Sequence, residues 1–407
     1  MHPSPHAALR ERWLLLALAG VQFTHIVDFM VMMPLGPQLT RLFAISDAQF
    51  GLLVSAYTLA AGASGLIATT YIDRFERKRL LLWLYAGFAL ATLACGLAPS
   101  YALLMGARIA AGAFGGVLGA LVQTMVADAV PFERRGRAMG VVMSSFALST
   151  VAGVPASLWL AQWFDWHAPF IAIAALSTGI WVMSLRVLPR LDGHLQAQRG
   201  VSALHSLGRV LAEPNHWTAF ALSAMVMGAS FVIIPYITLY GTANVGIAEA
   251  DIPAIYLVGG VATFFTARLW GVLADRFGKR QVFQALALVA VVPMMTLTHL
   301  GPVPLWVMMV VTTGFFVFVS GRNVPGMALI SAAARPELRG SFLSLNGSVQ
   351  SAAMGLAALV GGLLISRDAQ GLVQGYGAAG WVALGCTTAA LWLASRLRIW
   401  QAPSSSE

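Results

Sequence analysis

Gln22, His25 and Asp28 recur every third residue inside an apolar stretch at about 13–37, which sets all three near one face of a helix. Arg108 lies in a second such stretch at 101–129. A charge held away from water costs a few kcal/mol or more, so each such group is a functional residue by default. Asp28 falls just beyond the middle of its run and Arg108 in the first half of its own. If the two runs traverse one layer in opposite directions, these depths agree and the side chains can pair. An arginine stabilises the ionised carboxylate, and separating the two favours proton uptake, so conformation and protonation become linked. His25, with an ordinary pKa of about 6.5, can share that proton or serve as a hydrogen-bonded packing residue. A static ion pair tying two helices together is the competing reading.

Further polar groups lie in apolar runs. Arg322 and Asn323 occupy the run at 303–333, Asn346 and Gln350 the run at 341–366, and Gln123 the run that holds Arg108. No acid falls inside a run of the second half, so Arg322 has three options: to bind an anionic solute group, to reach across to the first half, or to snorkel. Phe29, Tyr57, Phe231, Tyr236 and Tyr240 are candidates for an aromatic cavity wall. Cys95 and Cys386 both sit in apolar runs with no metal-ligand pattern nearby, and are expected as free thiols.

The elements that position these groups follow from composition. The 407 residues are 58% hydrophobic and only 10% charged, against about a quarter charged in soluble domains, so lipid surrounds most of the chain and an ordinary enzyme core is excluded. Twelve apolar runs of roughly 20 residues each can cross a bilayer. The basic N-terminal stretch reads as a retained start helix rather than a cleaved leader. With the N-terminus inside, alternate loops and tails hold 20 of the 25 lysines and arginines, in clusters such as Arg74, Arg77, Lys78 and Arg79. The other loops hold only Arg41 and Arg367, while Arg108, Arg268 and Arg322 fall inside runs. The net charge of +9 is therefore a topology signal rather than a nucleic-acid face. The expected fold is an all-α membrane protein with both termini cytoplasmic, in the plasma membrane of a bacterium.

The longest polar interruption, 191–213, separates a first bundle at 1–190 from a second at 214–407, with six runs in each. Leu204, Leu207 and Leu211 at helical spacing suit an amphipathic helix on the membrane surface; a mobile linker fits equally. The halves repeat: Asp73-Arg74-Phe75 recurs as Asp275-Arg276-Phe277, and Glu133-Arg134-Arg135-Gly136 as Glu337-Leu338-Arg339-Gly340. Nearly one offset for two loops implies duplication, and transporters built this way place the solute between the halves.

Gly271-Val-Leu-Ala-Asp275-Arg276-Phe-Gly278-Lys279-Arg280 closely resembles the loop signature G-x-x-x-D-R-x-G-R-R of the major facilitator superfamily, and the resemblance covers essentially the whole chain. The first-half copy, Thr69-Thr-Tyr-Ile-Asp73-Arg74-Phe-Glu76-Arg77-Lys78, lacks both glycines. Leu104-Met-Gly-Ala-Arg108-Ile-Ala-Ala-Gly112 is similar to the fourth-span signature, and Gly153-Val154-Pro155 to the kink motif of its antiporters, with the trailing glycines missing. The resemblance is to the twelve-span drug or sugar efflux branch of proton antiporters. It implies two six-helix pseudo-repeat bundles in the major facilitator fold, with the first and fourth spans facing each other across a cavity. It also implies a conformational latch of Asp73, Arg74, Arg77, Gly271, Asp275, Arg276, Gly278 and Lys279, with Asp128 as the arginines' partner.

The leading expectation is proton-driven export of a small organic solute by a lipid-embedded monomer, with a proton gradient in place of any cofactor and no nucleic-acid partner. No G-x-x-x-x-G-K-[ST] loop for ATP is present. Uptake by symport or uniport, and a receptor or scaffold that kept the fold and lost transport, stay open.

Overall fold

The computed structural model describes residues 5–192, 203–335 and 337–400. Among the described residues twelve helices are long and apolar enough to span a bilayer. In the first half they are Glu11–Val31, Asp47–Ala68, Arg77–Gly96, Tyr101–Ala129, Arg134–Trp163 and His167–Val187. In the second half they are Pro214–Val245, Glu249–Phe277, Lys279–Thr298, Leu305–Ala332, Arg339–Leu364 and Tyr376–Arg396. The first span stops at Val31, short of the expected residue 37, because Pro34, Gly36 and Pro37 break it and restart a short helix, Gly36–Leu42. Ser46 then caps the second span in a reciprocal pair with Gln49, and Ser100 caps the fourth, which is why turns this short suffice.

Polar residues between the halves do form a helix, Ala203–Ala212. It docks on the seventh span through the Trp217 indole, which donates to the Leu211 carbonyl at 2.9 Å, and the buried Val210. Large apolar side chains such as Trp83, Leu90, Phe265 and Leu363 are exposed on the bundle surface, where lipid replaces water as solvent.

The two faces of the molecule are packed differently. Toward the face that carries the basic loops, each half has its own core: Leu18, Tyr85 and Val122 in the first, Phe220, Phe283 and Phe342 in the second. Toward the opposite face one core joins both halves, with Val31, Met32 and Leu35 packed alongside Ile233, Tyr236 and Leu239. The halves are therefore closed together at the opposite face. Glycine makes their seam possible: a β-carbon would run into Tyr236 of the second half at Gly51 and press on the Asp47–Ala48 backbone of the first half at Gly362, and the Ser55 hydroxyl donates across the halves to the Gly355 carbonyl at 2.8 Å.

Candidate functional site

The fourth span can lie against the second because Gly112 and Gly116 let backbones touch: a β-carbon there would sit 2.2 Å from the Tyr57 carbonyl oxygen and 2.4 Å from that of Ala61. This close approach brings the Tyr57 ring under Arg108, whose guanidinium carbon lies 4.3 Å from the ring centroid. From the first span Asp28 meets the same guanidinium, with Arg108 Nη1 donating to Asp28 Oδ2 at 2.9 Å and to the Asp28 carbonyl at 3.3 Å. The side chains are 0% and 1% exposed. The charge-bearing residues that spacing and depth put together are thus in contact. His25 is not part of the pair: its buried Nδ1 has no hydrogen-bond partner among the described residues, and its ring lies 6.3 Å from Phe88. The expectation of a hydrogen-bonded packing histidine does not hold at that nitrogen.

An aromatic bridge runs from the pair into the other half. Phe29 stacks on Tyr57 at 5.5 Å and on Phe231 of the seventh span at 5.8 Å. The Tyr57 hydroxyl is buried without a partner among the described residues, as is Gln22 Oε1, which faces Gly119 on the fourth span. Gln123, one turn further along that span, is exposed. These groups are left with hydrogen-bonding capacity to offer.

Other expected cavity residues lie elsewhere. Tyr236 is fully buried and donates its hydroxyl to the Ala358 carbonyl, so it fastens the seventh span to the eleventh rather than lining a cavity. Asn346 is 1% exposed and accepts from Ser223 at 2.6 Å, a bond inside the second half. Arg322 neither snorkels nor reaches across: it is 1% exposed and donates to Thr387 Oγ1 at 3.2 Å, Ser230 Oγ at 3.0 Å and the Val226 carbonyl at 3.3 Å. Neutral oxygens of the seventh and twelfth spans cradle it, and it forms no ion pair among the described residues. Asn323 Oδ1 next to it is buried and unpartnered among the described residues, and Gln350 Nε2 contacts the Met327 sulfur at 3.1 Å.

The two loop motifs differ for a physical reason that spacing did not reveal. In the first half Glu76, in place of a glycine, caps the third span: its carboxylate accepts from the backbone N–H of Lys78 and Arg79, both at 2.9 Å, and of Leu191 at 3.0 Å. Arg77 donates its own N–H to the Leu191 carbonyl, so the end of the sixth span is clasped to this loop. In the second half Gly278 occupies the same place at φ +94°, a backbone that needs glycine. Arg77 pairs with Asp128 at 3.3 Å, as the motif implied. The side chain of Asp73 lies outside the described residues, and Arg74 is exposed. Asp275, Arg276 and Lys279 are also exposed, with Arg276 over the Phe277 ring, and Asp275 forms no ion pair among the described residues. Nothing would crowd a β-carbon at Gly271, so that glycine is not required for packing. Gly153 is: its β-carbon would meet Val27 at 2.4 Å, and a π-helical turn, Ser149–Gly153, runs into Pro155, giving the fifth span the bend that admits the first.

Burial works against ionisation of the Glu76 carboxyl, but the N–H groups of Leu191, Arg79 and Lys78 outweigh it and hold the group below the ordinary carboxylate range. A depressed carboxyl stabilises the fold above its unfolded pKa and loses that effect as pH falls through its folded one. Replacing Glu76 by Ala is expected to cost about 1 kcal/mol at neutral pH, the usual worth of a helix cap. Thermal unfolding in detergent reads this as a lowered Tm whose gap to the parent closes in acid.

A twelve-span bundle whose halves close at one face over a buried charge pair has the build of a membrane transporter. The chain belongs to the Major Facilitator Superfamily, whose family model matches residues 18–358 and, a second time, 219–402. It is a transporter of small solutes and not an enzyme. It is 25% identical over 360 residues to the uncharacterized MFS-type transporter YceJ of Bacillus subtilis (strain 168), covering 88% of this chain and 90% of that one. It is 25% identical over 323 residues to a chloramphenicol resistance protein of Streptomyces lividans, with 79% and 82% covered. A probable sugar efflux transporter of Pasteurella multocida (strain Pm70) matches at 26% over 237 residues, 57% of each chain. Among solved structures, a D-xylose-proton symporter superposes with a TM-score of 0.77 over 95% of this chain and 97% of that one at 16% identity, a likeness of fold alone.

Proposed function

We propose that the protein exports a small organic solute in exchange for protons by alternating access, with Asp28 carrying the proton and Arg108 acting as its switch partner. The observation that carries this reading is the Asp28–Arg108 pair, fully enclosed and bridged through Tyr57 and Phe29 to the opposing half. When the halves move apart at their closed face, the Phe29–Phe231 stack separates and the Tyr57 platform under Arg108 loosens. The arginine then withdraws from the carboxylate, which takes a proton from that side. Return of the arginine discharges it on the other. Export as the direction is supported by the chloramphenicol resistance and sugar efflux relatives. Clustering of lysine and arginine on one face supports a cytoplasmic placement of that face and of both termini, and the inner membrane transport protein YdhP of Escherichia coli (strain K12), 27% identical over 245 residues, supports a bacterial inner membrane. The loop motifs act as cytoplasmic latches, with the Asp275 loop, unpaired among the described residues, lying on the face where each half keeps its own core.

The test is solute movement in proteoliposomes under an imposed pH gradient, with chloramphenicol and a panel of sugars as probes. Accumulation of at least one probe that collapses with a protonophore is the expected result. Accumulation of that probe indifferent to the gradient would overturn proton coupling and leave transport itself intact.

A further inference from the structure

Only two basic residues, Arg41 and Arg367, sit in the loops of the face opposite the basic one. Each is bound in the structure to a carboxylate of the other half. Arg41, on the short helix after the first span, forms a two-pronged pair with Glu249, at the start of the eighth span; the Nη2 to Oε2 prong is 3.0 Å. Arg367, in the hairpin that joins Ser366–Arg367 to Val373–Gln374 after the eleventh span, donates through Nε and Nη2 to both oxygens of Asp47, each at 3.0 Å. Asp47 opens the second span, so its 2% exposed carboxylate also faces a helix N-terminus, where a negative charge is favoured. Gln162 of the first half adds a bond to the Glu249 carbonyl at 2.9 Å. The ion pairs whose partners lie near the basic face, Arg77 with Asp128, Arg134 with Glu11 and Arg335 with Glu213, each stay inside one half.

Basic residues on the far side of a membrane run against the charge bias that sets topology, so their placement calls for a local reason. Planar two-pronged pairing gives one: it fixes orientation as well as distance, which a lysine would not. The geometry points to a lock: the pairs Arg41–Glu249 and Asp47–Arg367 hold the two halves shut at the outer face, and their release opens the path from outside to the Phe29–Phe231 stack and Asp28. The lock rests on the alternating-access reading above. Both arginines reach solvent, Arg41 64% and Arg367 38% exposed, so each can leave its carboxylate and return in every cycle, the Arg41–Glu249 pair at the rim more readily than the one on the buried Asp47. The buried apolar core beneath seals the closed state, and the ion pairs bias which state is populated.

The test reads distance, not transport, so it can fail while proton coupling stands, and the converse. Cys95 and Cys386 are replaced by Ala, and spin labels are placed at Leu97→Cys and Trp306→Cys, both exposed outer-face positions of opposite halves away from the lock. In reconstituted full-length protein the parent should show a dominant short separation. Arg41→Gln with Arg367→Gln should raise a longer separation by about fivefold or more in relative population, the effect of losing both pairs. The exchange Arg41→Glu with Glu249→Arg should retain the short separation, which loss of side-chain packing alone would not predict. An unchanged distribution in the doubly neutral variant, an exchange variant that opens as far as Arg41→Gln, or a parent found only in the long separation would each overturn the lock. Arg41 and Glu249 lie at the rim, so Arg41→Gln alone supplies a folded comparison if the double variant is poorly recovered.

Discussion

Asp28→Asn is expected to abolish both solute-triggered proton release and gradient-driven accumulation, the largest functional loss any single substitution should produce here. It also leaves Arg108 as an unpaired charge that is 1% exposed. Removing one member of a buried pair costs about 3–5 kcal/mol, so a fall in Tm in detergent should accompany the loss and on its own would not reveal a role in coupling. The second variant separates the two. Asp28→Asn combined with Arg108→Gln removes both charges, and its Tm should return toward that of the parent, because no isolated charge remains. Transport should not return, because no group is left to carry the proton. Recovery of accumulation together with stability in the double variant would make the pair a structural tie and sink the proton-carrier role. Proton release from Asp28→Asn on adding a transported probe would do the same more directly.

Gly112→Val should also lower stability strongly, by overpacking rather than by an unpaired charge. A β-carbon at this position would sit 2.2 Å from the Tyr57 carbonyl oxygen, and 2.9 Å from two further Tyr57 backbone atoms. Backbone cannot step aside as the end of a flexible side chain can. Overpacking a core costs about 1–3 kcal/mol and occasionally more, and two spans crossing backbone to backbone belong at the upper end. The same displacement lifts the Tyr57 ring from under Arg108, one turn away, so any protein that inserts should also transport poorly. Gly271→Ala is the matched control, since nothing lies within 4 Å of its β-carbon. Yield and Tm after detergent extraction measure the contrast; equal values for the two variants would show that the close crossing of the second and fourth spans is not what stabilises the first half.

How far the site was legible in the residues varies with how local its cause is. Asp28 and Arg108 could be paired from depth alone because an apolar helix fixes the height of each residue along its axis, and a carboxylate and a guanidinium at one height leave each other few other partners. Glu76 looked like a damaged motif because spacing records only the glycine it replaced. Its gain, three backbone N–H groups including one 115 positions away at Leu191, exists only when the sixth span returns to that loop. Arg322 was open to three readings for the same reason: the neutral oxygens of Ser230 and Thr387 that hold it are 92 and 65 positions distant, and neither residue type announces itself as an arginine partner. Tyr236 and Asn346 looked like cavity residues by chemistry, and became interior fastenings once the seventh and eleventh spans met.

Hydrophobic length and loop charge are properties of contiguous stretches, so the number of spans, their alternation and the doubling of the chain follow from residue order with no knowledge of contacts. Which face of each helix meets which neighbour is a property of the packed whole. It is set by where small residues such as Gly51, Gly112 and Gly153 let backbones approach, and by which polar groups then find one another in a medium without water. That packing decided that Asp28 and Arg108 are sealed together rather than open to a cavity, and that Arg41 and Arg367, two exceptions to a charge rule, bind across the halves at the one face where the molecule is closed.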